Sequence, residues 1–562
     1  MIGITTRQLL KEELSSLAGG LSFDVLTPPD PKLGDYSANI AFILAKKENK
    51  KPADVANVLK EKLADSRVAS MFDIEVAPNG FLNFYAQPEF LQKQLKAISK
   101  DETYGQSDEG GGKKIIVEYS SPNIAKPMHI GHLRSTIIGD SLANIYDKLG
   151  FTVTRWNYIG DWGTQFGIMI AGYKREGHKE PEMMNYSELL DLYVRASKEL
   201  PEGAGESEFK KLEDGDSENR TIWNKFRDKT LKDLRSIYSH LGIHQFDVIK
   251  GESDYEPKLK TLIEELQKKG LAKESEGALI IELENMPPMM LRKTDGATLY
   301  ATRDIASLED RLTSSEYKPL SKILYVVANQ QALHFEQLFT VAKKLGWTDT
   351  ELVHVKFGMV LGEDGKKLAT REGKVVPLQE VIDKITDLAR ETVKQKNSNL
   401  SGEEMERVAH VVAIGALKYN DLKQHPYSDI EFDWQAMLDL SGNSGPYIQY
   451  TYARLANILN KVGSFGEGDA SLLTEPSERS LMRQLLDYPE AIKECAERYA
   501  LNGLALYLYD LAHLSNQFYE QVHVLEDENA SRRDARLLLI KTVARTFKDG
   551  LALLGIETLE RI

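Results

Sequence analysis

The segment Ser120-Ser121-Pro122-Asn123-Ile124-Ala125-Lys126-Pro127-Met128-His129-Ile130-Gly131-His132 concentrates side chains that could do chemistry. His129 and His132 are three residues apart, so on a helix both fall on one face of the first turn, where backbone N–H groups and the helix dipole favour an anion. Phosphate is the natural guest. Gly131 puts no side chain between such a guest and the backbone, and Pro122 and Pro127 stiffen the approach. Taken alone, an H-x-x-H pair more often caps a helix or sits on its surface. Zinc is disfavoured, because helix-borne sites use His at i and i+4 with a carboxylate, and this pair has neither that spacing nor an acidic neighbour.

The elements that must position this segment are legible on both sides of it. Lys113 to Tyr119, with Ile115, Ile116 and Val117 consecutive, reads as a strand buried on both faces. From His129 to Leu149 the apolar positions Leu133, Ile137, Ile138, Leu142, Ile145, Tyr146 and Leu149 recur at helical spacing, and Gly150 suits the residue after a C-cap. Phe151 to Ile159 predicts a second strand, which makes a right-handed βαβ unit and hence a parallel sheet. Ser321 to Ala328 and Glu351 to Val360 add two β-rich runs around a helix over Phe335 to Lys344. The expected fold class is α/β, with a Rossmann-type parallel-sheet domain over residues 111–395 interrupted by a charged helical insertion at about 176–251. An N-terminal α/β domain over residues 1–110 precedes it, with helices at Thr6 to Ala18 and Pro52 to Leu63 and a strand around Gly80 to Tyr85, and ends in the glycine-rich stretch Gly105 to Gly112. Residues 396–562 read as all-α, through Glu403 to Tyr419, Gly445 to Val462, Ser477 to Tyr499, Leu504 to Val522 and Ala530 to Leu554, with a C-terminal helix bundle from about 441.

Composition narrows the classes. Of 562 residues, 28% are charged and 42% hydrophobic, which excludes wholesale disorder. No apolar stretch approaches the roughly 20 residues that span a bilayer, and Lys11, Glu12 and Glu13 interrupt any leader-like run, so a cytoplasmic protein without membrane contact is expected. The single cysteine, Cys495, permits neither an internal disulfide nor a thiolate zinc cluster. A net charge of −14 rules out a general basic coat for nucleic acid but leaves room for a local basic groove. An acidic protein without an obvious exposed apolar face suggests a monomer.

The central segment resembles the H-I-G-H signature of class I aminoacyl-tRNA synthetases, and its longer form, Tyr119-Ser-Ser-Pro-Asn-Ile-Ala-Lys126, is similar to that of the arginyl-tRNA synthetase family. The similarity continues through His132-Leu-Arg-Ser-Thr-Ile-Ile-Gly-Asp140 and Asn157-Tyr-Ile-Gly-Asp-Trp-Gly-Thr-Gln-Phe-Gly167. It implies attack of an amino-acid carboxylate on the α-phosphate of ATP, carried with Mg2+, followed by aminoacyl transfer to the 3′ end of tRNA(Arg). No structural zinc is implied. His129 and His132 would stabilise the charge developing around phosphorus. A second family element, a mobile K-M-S-K-S loop that grips the outer phosphates, has its counterpart in Asp364 to Gly373, with Lys366, Lys367, Thr370 and Arg371. Here Thr370 stands at the second lysine position and brings no charge, so Lys126 is the substitute that the resemblance offers.

For L-arginine, a planar and permanently charged guanidinium calls for carboxylates in bidentate reach and a flat surface. Tyr300 and Asp304 are i and i+4, on one face of a helical turn. The resemblance assigns both to the guanidinium end with Glu118, and assigns Asn123 and Gln331, or its neighbour Gln330, to the α-amino and carboxylate groups. Without it, a Tyr and an Asp one turn apart would more often be a surface pair. Tyr447 and Tyr450, in a landmark of the family's anticodon-binding domain, suit stacking on unpaired bases, with core packing as the rival. Lys541, Arg545 and Lys548 align on one helical face and read as a solvated row. The resemblance further implies that the N-terminal domain contacts the tRNA elbow and that arginine activation requires bound tRNA. A noncatalytic tRNA-binding relative is the alternative.

Overall fold

The computed structural model describes residues 5–125, 128–176, 179–294, 296–362, 365, 376–397 and 400–562. They fall into two compact units. One runs from Gly110 to Leu438 and includes Leu554–Ile556; the other holds everything up to Glu109 together with Asp439–Leu553 and Glu557–Ile562.

The first unit is built on five parallel strands. β1 (Lys114–Glu118) leads through helix α1 (Ile130–Lys148) to β2 (Thr152–Ile159), and β3 (Val248–Gly251) follows the insertion. Helix α2 (Tyr300–Thr313) then precedes β4 (Leu320–Ala328), helix α3 (Ala332–Lys344) and β5 (Glu351–Phe357). The strand order is β5-β4-β1-β2-β3, every neighbour parallel. β1 is central, with Ile116 facing Ile323 of β4 and Thr154 of β2, and its Ile115, Ile116 and Val117 are fully buried, which is why they read as an unbroken apolar run. The order reverses direction at β1 and β4, the switch point where open parallel sheets leave a crevice beyond their carboxyl ends. α1 packs closely beneath it: a Cβ at Gly139 would lie 2.1 Å from the Cβ of Tyr119, so only glycine admits this approach.

Helix Thr164–Glu176 follows β2, and the insertion holds helices Tyr186–Glu199, Ala204–Glu213 and Ser217–His240. A three-stranded antiparallel sheet of Ala272–Ser275, Ala278–Ile281 and Met289–Arg292 follows β3, which the sequence pattern does not announce because its strands are only four residues long. The expected strand over Glu351 to Val360 ends at Phe357. Gly358 donates to Pro426 O (3.0 Å), and Val360–Leu361 forms a separate parallel pair with Ile430–Glu431. Helix α4 (Gly402–Leu422) belongs to this unit as well.

The second unit combines a four-stranded sheet, in the order Val25–Leu26, Tyr36–Ala38, Leu82–Ala86, Phe72–Val76, with the C-terminal helices. Arg483 ties them: its guanidinium stacks 4.2 Å from the Tyr36 ring centroid and pairs with Asp487 at 2.9 Å, while Arg479 pairs with Asp35 at 2.6 Å. The run expected as one helix over Ser477 to Tyr499 is two, Pro476–Leu485 and Tyr488–Arg498, because Pro489 lacks the N–H that would continue the first.

Candidate active site

α1 begins where β1 ends, and the turn between them is strained. Ser120 and Ser121 have φ of +68° and +42°, a conformation that costs a non-glycine residue roughly 1–3 kcal/mol. A buried hydrogen-bond web offsets that cost. Ser120 N–H donates to Ser135 Oγ (3.0 Å), whose hydroxyl donates to Val326 O (2.6 Å), and Ser121 N–H donates to Asn157 Oδ1 (3.2 Å). The Tyr238 hydroxyl meets both Ser120 Oγ (2.7 Å) and Asn157 Nδ2 (3.0 Å). Asn123 then lies beside Gly160, bracketed by Gly160 N–H to Pro122 O and Ile124 N–H to Gly160 O.

The two histidines cap the helix. His129 is the N-cap and its Nδ1 accepts from Gly131 N–H (3.1 Å), while His132 Nδ1 accepts from His129 N–H (3.2 Å); the rings lie 4.0 Å apart. In the neutral rings these contacts put the proton on Nε2. Loss of hydration and the neighbouring His129 push His132 down to about 3, so it is a neutral Nε2–H donor at pH 7.

A cleft of about 660 Å³ lies at the switch point, and its walls bring together most of the residues expected to act on a ligand. Gly131 and His132 line it, as do Glu118, Asn123, Tyr300, Asp304, Gln331 and Gln330. His129 is not part of that lining, although its ring lies 4.0 Å from that of His132. Lys126, Lys366, Lys367, Thr370 and Arg371 lie outside the described residues. Of their surroundings, Val376 O accepts from Ile130 N–H (3.1 Å) and Leu378 N–H donates to Met128 O (3.2 Å), so the residues that follow the lysine-bearing segment pair with the start of α1.

The carboxylate side of the cleft is more elaborate than the sequence suggested. Asp304 receives His334 Nε2 at 2.6 Å, and the half-exposed Tyr300 ring lies 4.8 Å from that of His334. Glu118 reaches the cleft but is already paired, with the buried Arg311. A further carboxylate, Glu252, lines the same space. Burial pushes Glu252 up to about 8, Arg303 opposing and Asp304 reinforcing the rise. Its turn is fixed by Asp161, which accepts from Ser253 N–H (2.9 Å) and Ser253 Oγ (2.7 Å) and lies so near Gly251 that a Cβ there would come within 2.1 Å of it. Sequence reasoning does not find Glu252, His334 or Arg311. The only local signal was His334 itself, within Asn329-Gln-Gln-Ala-Leu-His-Phe335. Among the described residues no group of three or more His, Cys, Asp or Glu could hold a metal ion.

In the other unit, Tyr447 and Tyr450 are half-buried on helix Gly445–Val462. Tyr447 accepts from Asn516 Nδ2 (3.0 Å) and lies 5.7 Å from the Tyr509 ring, and burial pushes Tyr450 up to about 12. Of the basic row, Arg545 is not simply solvated: it donates to Ile98 O and Ser99 O, the last carbonyls of helix Pro88–Lys100.

Comparisons with known proteins agree from end to end. Residues 94–434 match the family described as tRNA synthetases class I (R), catalytic domain. Residues 448–562 match the DALR anticodon binding domain, and residues 5–86 the arginyl tRNA synthetase N terminal domain. An arginine–tRNA ligase of Bacillus cereus is 39% identical over 568 aligned positions, covering 100% of this chain and 98% of that protein, and one of Chloroflexus aggregans is 39% identical over 96% of this chain and 95% of its own length. Among solved structures, arginyl-tRNA synthetase from Plasmodium falciparum superposes with a TM-score of 0.84 at 28% identity, covering 100% of both proteins. That from Thermus thermophilus gives 0.84 at 27% over 99% of this chain and 100% of its own. With its catalytic-domain match, its full-length relatives and its switch-point cleft, the chain belongs to the arginyl-tRNA synthetase family of class I aminoacyl-tRNA synthetases.

Proposed function

We propose that this protein is an arginine–tRNA ligase, which activates L-arginine with ATP and transfers the arginyl group to the 3′ end of tRNA(Arg), releasing AMP and pyrophosphate. One observation carries the reading: a single cleft is lined both by the helix start that suits a phosphate, at Gly131 and His132, and by the carboxylates and ring that suit a guanidinium, at Asp304, Glu252 and Tyr300.

The residues divide the work by their chemistry. Asp304, fixed by His334, flanks the guanidinium with Glu252, which is fixed through Asp161 and gives up its proton as the cation arrives beside it, and Tyr300 offers the flat surface. Asn123 and Gln331 or Gln330 hold the α-amino and carboxylate groups, which leaves a carboxylate oxygen facing the α-phosphorus. As that oxygen bonds to phosphorus and pyrophosphate leaves, negative charge grows on the phosphoryl oxygens, where the neutral Nε2–H of His132 donates and His129 stabilises the same charge. Gly131 leaves the helix N-terminus open to the nucleotide. Lys126, with Lys366, Lys367 and Arg371, offsets the charge of the leaving pyrophosphate where Thr370 cannot. Magnesium enters as cargo of the nucleotide. The 3′ hydroxyl of tRNA then attacks the arginyl carbonyl and AMP departs, with activation dependent on bound tRNA. Tyr447 and Tyr450 stack on anticodon bases.

The test is charging of tRNA with labelled amino acids. Arginine alone should become acid-precipitable with tRNA, and only with ATP present. A folded protein that binds tRNA yet charges nothing would be the noncatalytic relative, and charging with another amino acid would overturn the guanidinium site.

A further inference from the structure

The cleft contains a guanidinium of the protein's own. Arg311, about two turns along α2 from Asp304, is 1% exposed and pairs through Nη2 with Glu118 Oε2. Its guanidinium carbon lies 4.5 Å from the Trp156 ring centroid, 5.5 Å from that of Tyr325 and 5.8 Å from that of Tyr158. Its Nε and Nη1 have no hydrogen-bond partner among the described residues. Three rings and one carboxylate therefore form its cage. An ion pair in such a place is a poor device for stability, since an apolar side chain of the same volume serves as well or better. What the charge does must be sought in its partner.

Glu118 closes β1 and is 4% exposed. Burial drives its carboxyl upward, Arg311 opposes the rise and Asp304 adds to it. The charged or titratable groups that surround it are Arg311 and Asp304 from α2, Tyr158 from β2, Tyr325 from β4 and Tyr255, which follows β3, and Glu252 lines the same cleft. Burial raises all three phenols, so they bring no charge at neutral pH. Among the described residues lining the cleft, Arg311 is the one lysine or arginine. Without it, a buried carboxyl beside other acids takes up a proton and ceases to attract a cation.

We propose that Arg311 is a positioning residue of the arginine site: paired with Glu118 inside the cage of Trp156, Tyr158 and Tyr325, it keeps that carboxylate charged and oriented for the substrate's guanidinium. The inference rests on the reading of the cleft as an arginine site and adds how its charge is maintained. Arg311 does not touch the reacting atoms. Its loss acts on arginine recognition and not on the phosphoryl step.

The experiment is steady-state pyrophosphate exchange with tRNA present, for wild type, Arg311→Met, Arg311→Lys and the double variant Arg311→Met/Glu118→Gln, between about pH 6.5 and 8.5. Arg311→Met should raise the KM for arginine about 10- to 100-fold at the acid end, as expected for losing one charged partner, with kcat and the KM for ATP nearly unchanged. The ratio of its KM to that of wild type should fall as pH rises and Glu118 gives up its proton. Arg311→Lys should restore most of the loss. The double variant, whose neutral pair removes the folding penalty of an isolated buried charge, should keep a raised KM whose ratio to wild type no longer varies with pH. A wild-type KM in the double variant, or an elevated ratio in Arg311→Met that ignores pH, would make the pair purely structural and overturn the proposal. If Arg311→Met does not fold, the double variant decides alone. Failure of wild type to use arginine would instead bring down the reading of the cleft, and this inference with it.

Discussion

Each histidine of the signature spends one ring nitrogen on the cap, and that decides what the other nitrogen can do. With Nδ1 of His132 accepting from His129 N–H, its Nε2 carries the proton, and a value near 3 keeps the ring neutral through any practical assay. His132→Ala should therefore lower kcat for arginine-dependent exchange by about 100- to 1000-fold, the usual cost of one donor at a developing oxyanion, with little change in the KM for arginine. His132→Gln, whose amide nitrogen can stand near Nε2, should recover part of that loss. An equal loss in both variants would contradict the donor role. Asp304→Asn should act on the other term: removing one partner of a buried charge contact costs about 2–4 kcal/mol, so the KM for arginine should rise on the order of 100-fold while the KM for ATP stays within about twofold. Arginine titrations at saturating ATP check this, and an unchanged KM would remove Asp304 from the site. Tyr300 and Asp304 were legible through the resemblance, since their i and i+4 spacing puts them on one helical face but by itself reads as a surface pair. Glu252 and Arg311 were not, since only the assembled sheet brings them beside Asp304 and Glu118, and no local spacing encodes that meeting.

At the level of elements, β1, α1 and β2 were readable almost residue by residue, because a strand buried on both faces and a helix with a continuous apolar pattern leave unambiguous periods. The turn between β1 and α1 was not. Nothing in Ser120-Ser121-Pro122 announces two positive φ values, which depend on hydroxyl and amide partners from α1, β2 and β4. Ser121 and Ser120 differ in one respect that can be tested. Ser120 Oγ is bonded to Tyr238 and Thr136, whereas Ser121 Oγ has no hydrogen-bond partner among the described residues. Ser121→Gly should then be neutral or stabilising by up to about 1 kcal/mol, since glycine adopts this φ without strain and the change removes a buried hydroxyl. Denaturant melts measure it, and a loss of more than about 1 kcal/mol would mean that the hydroxyl has a role the static contacts do not reveal. The short strands of Ala272–Ser275, Ala278–Ile281 and Met289–Arg292 were lost for a simpler reason: four residues carry too little alternation to rise above loop patterning.

The whole molecule was legible as a mixed α/β protein with a helical C-terminal part, but not that the N-terminal sheet and the C-terminal helices form one compact unit. That depends on buried pairs such as Arg483 with Asp35, which look in the sequence like ordinary surface charges. The same unit holds Asp527 between Arg532 (2.6 Å) and Arg536 (2.7 Å), and these guanidinium contacts lower its carboxyl to about 2. A carboxyl held below its unfolded value of about 3.9 stabilises the fold fully above that value and loses its contribution as pH falls toward 2. Asp527→Asn should therefore cost stability near pH 6, and the difference from wild type should shrink by pH 3. A difference that is constant with pH would mean that the side chain's hydrogen bonds matter and its charge does not.

If one cleft joins phosphate chemistry to arginine recognition, pyrophosphate–ATP exchange reads both at once, run with a panel of amino acids in the presence and absence of tRNA(Arg). Exchange with arginine alone, and only when tRNA is bound, is the predicted result. Exchange supported by another amino acid, or none at all in a folded protein that still binds tRNA, would contradict it.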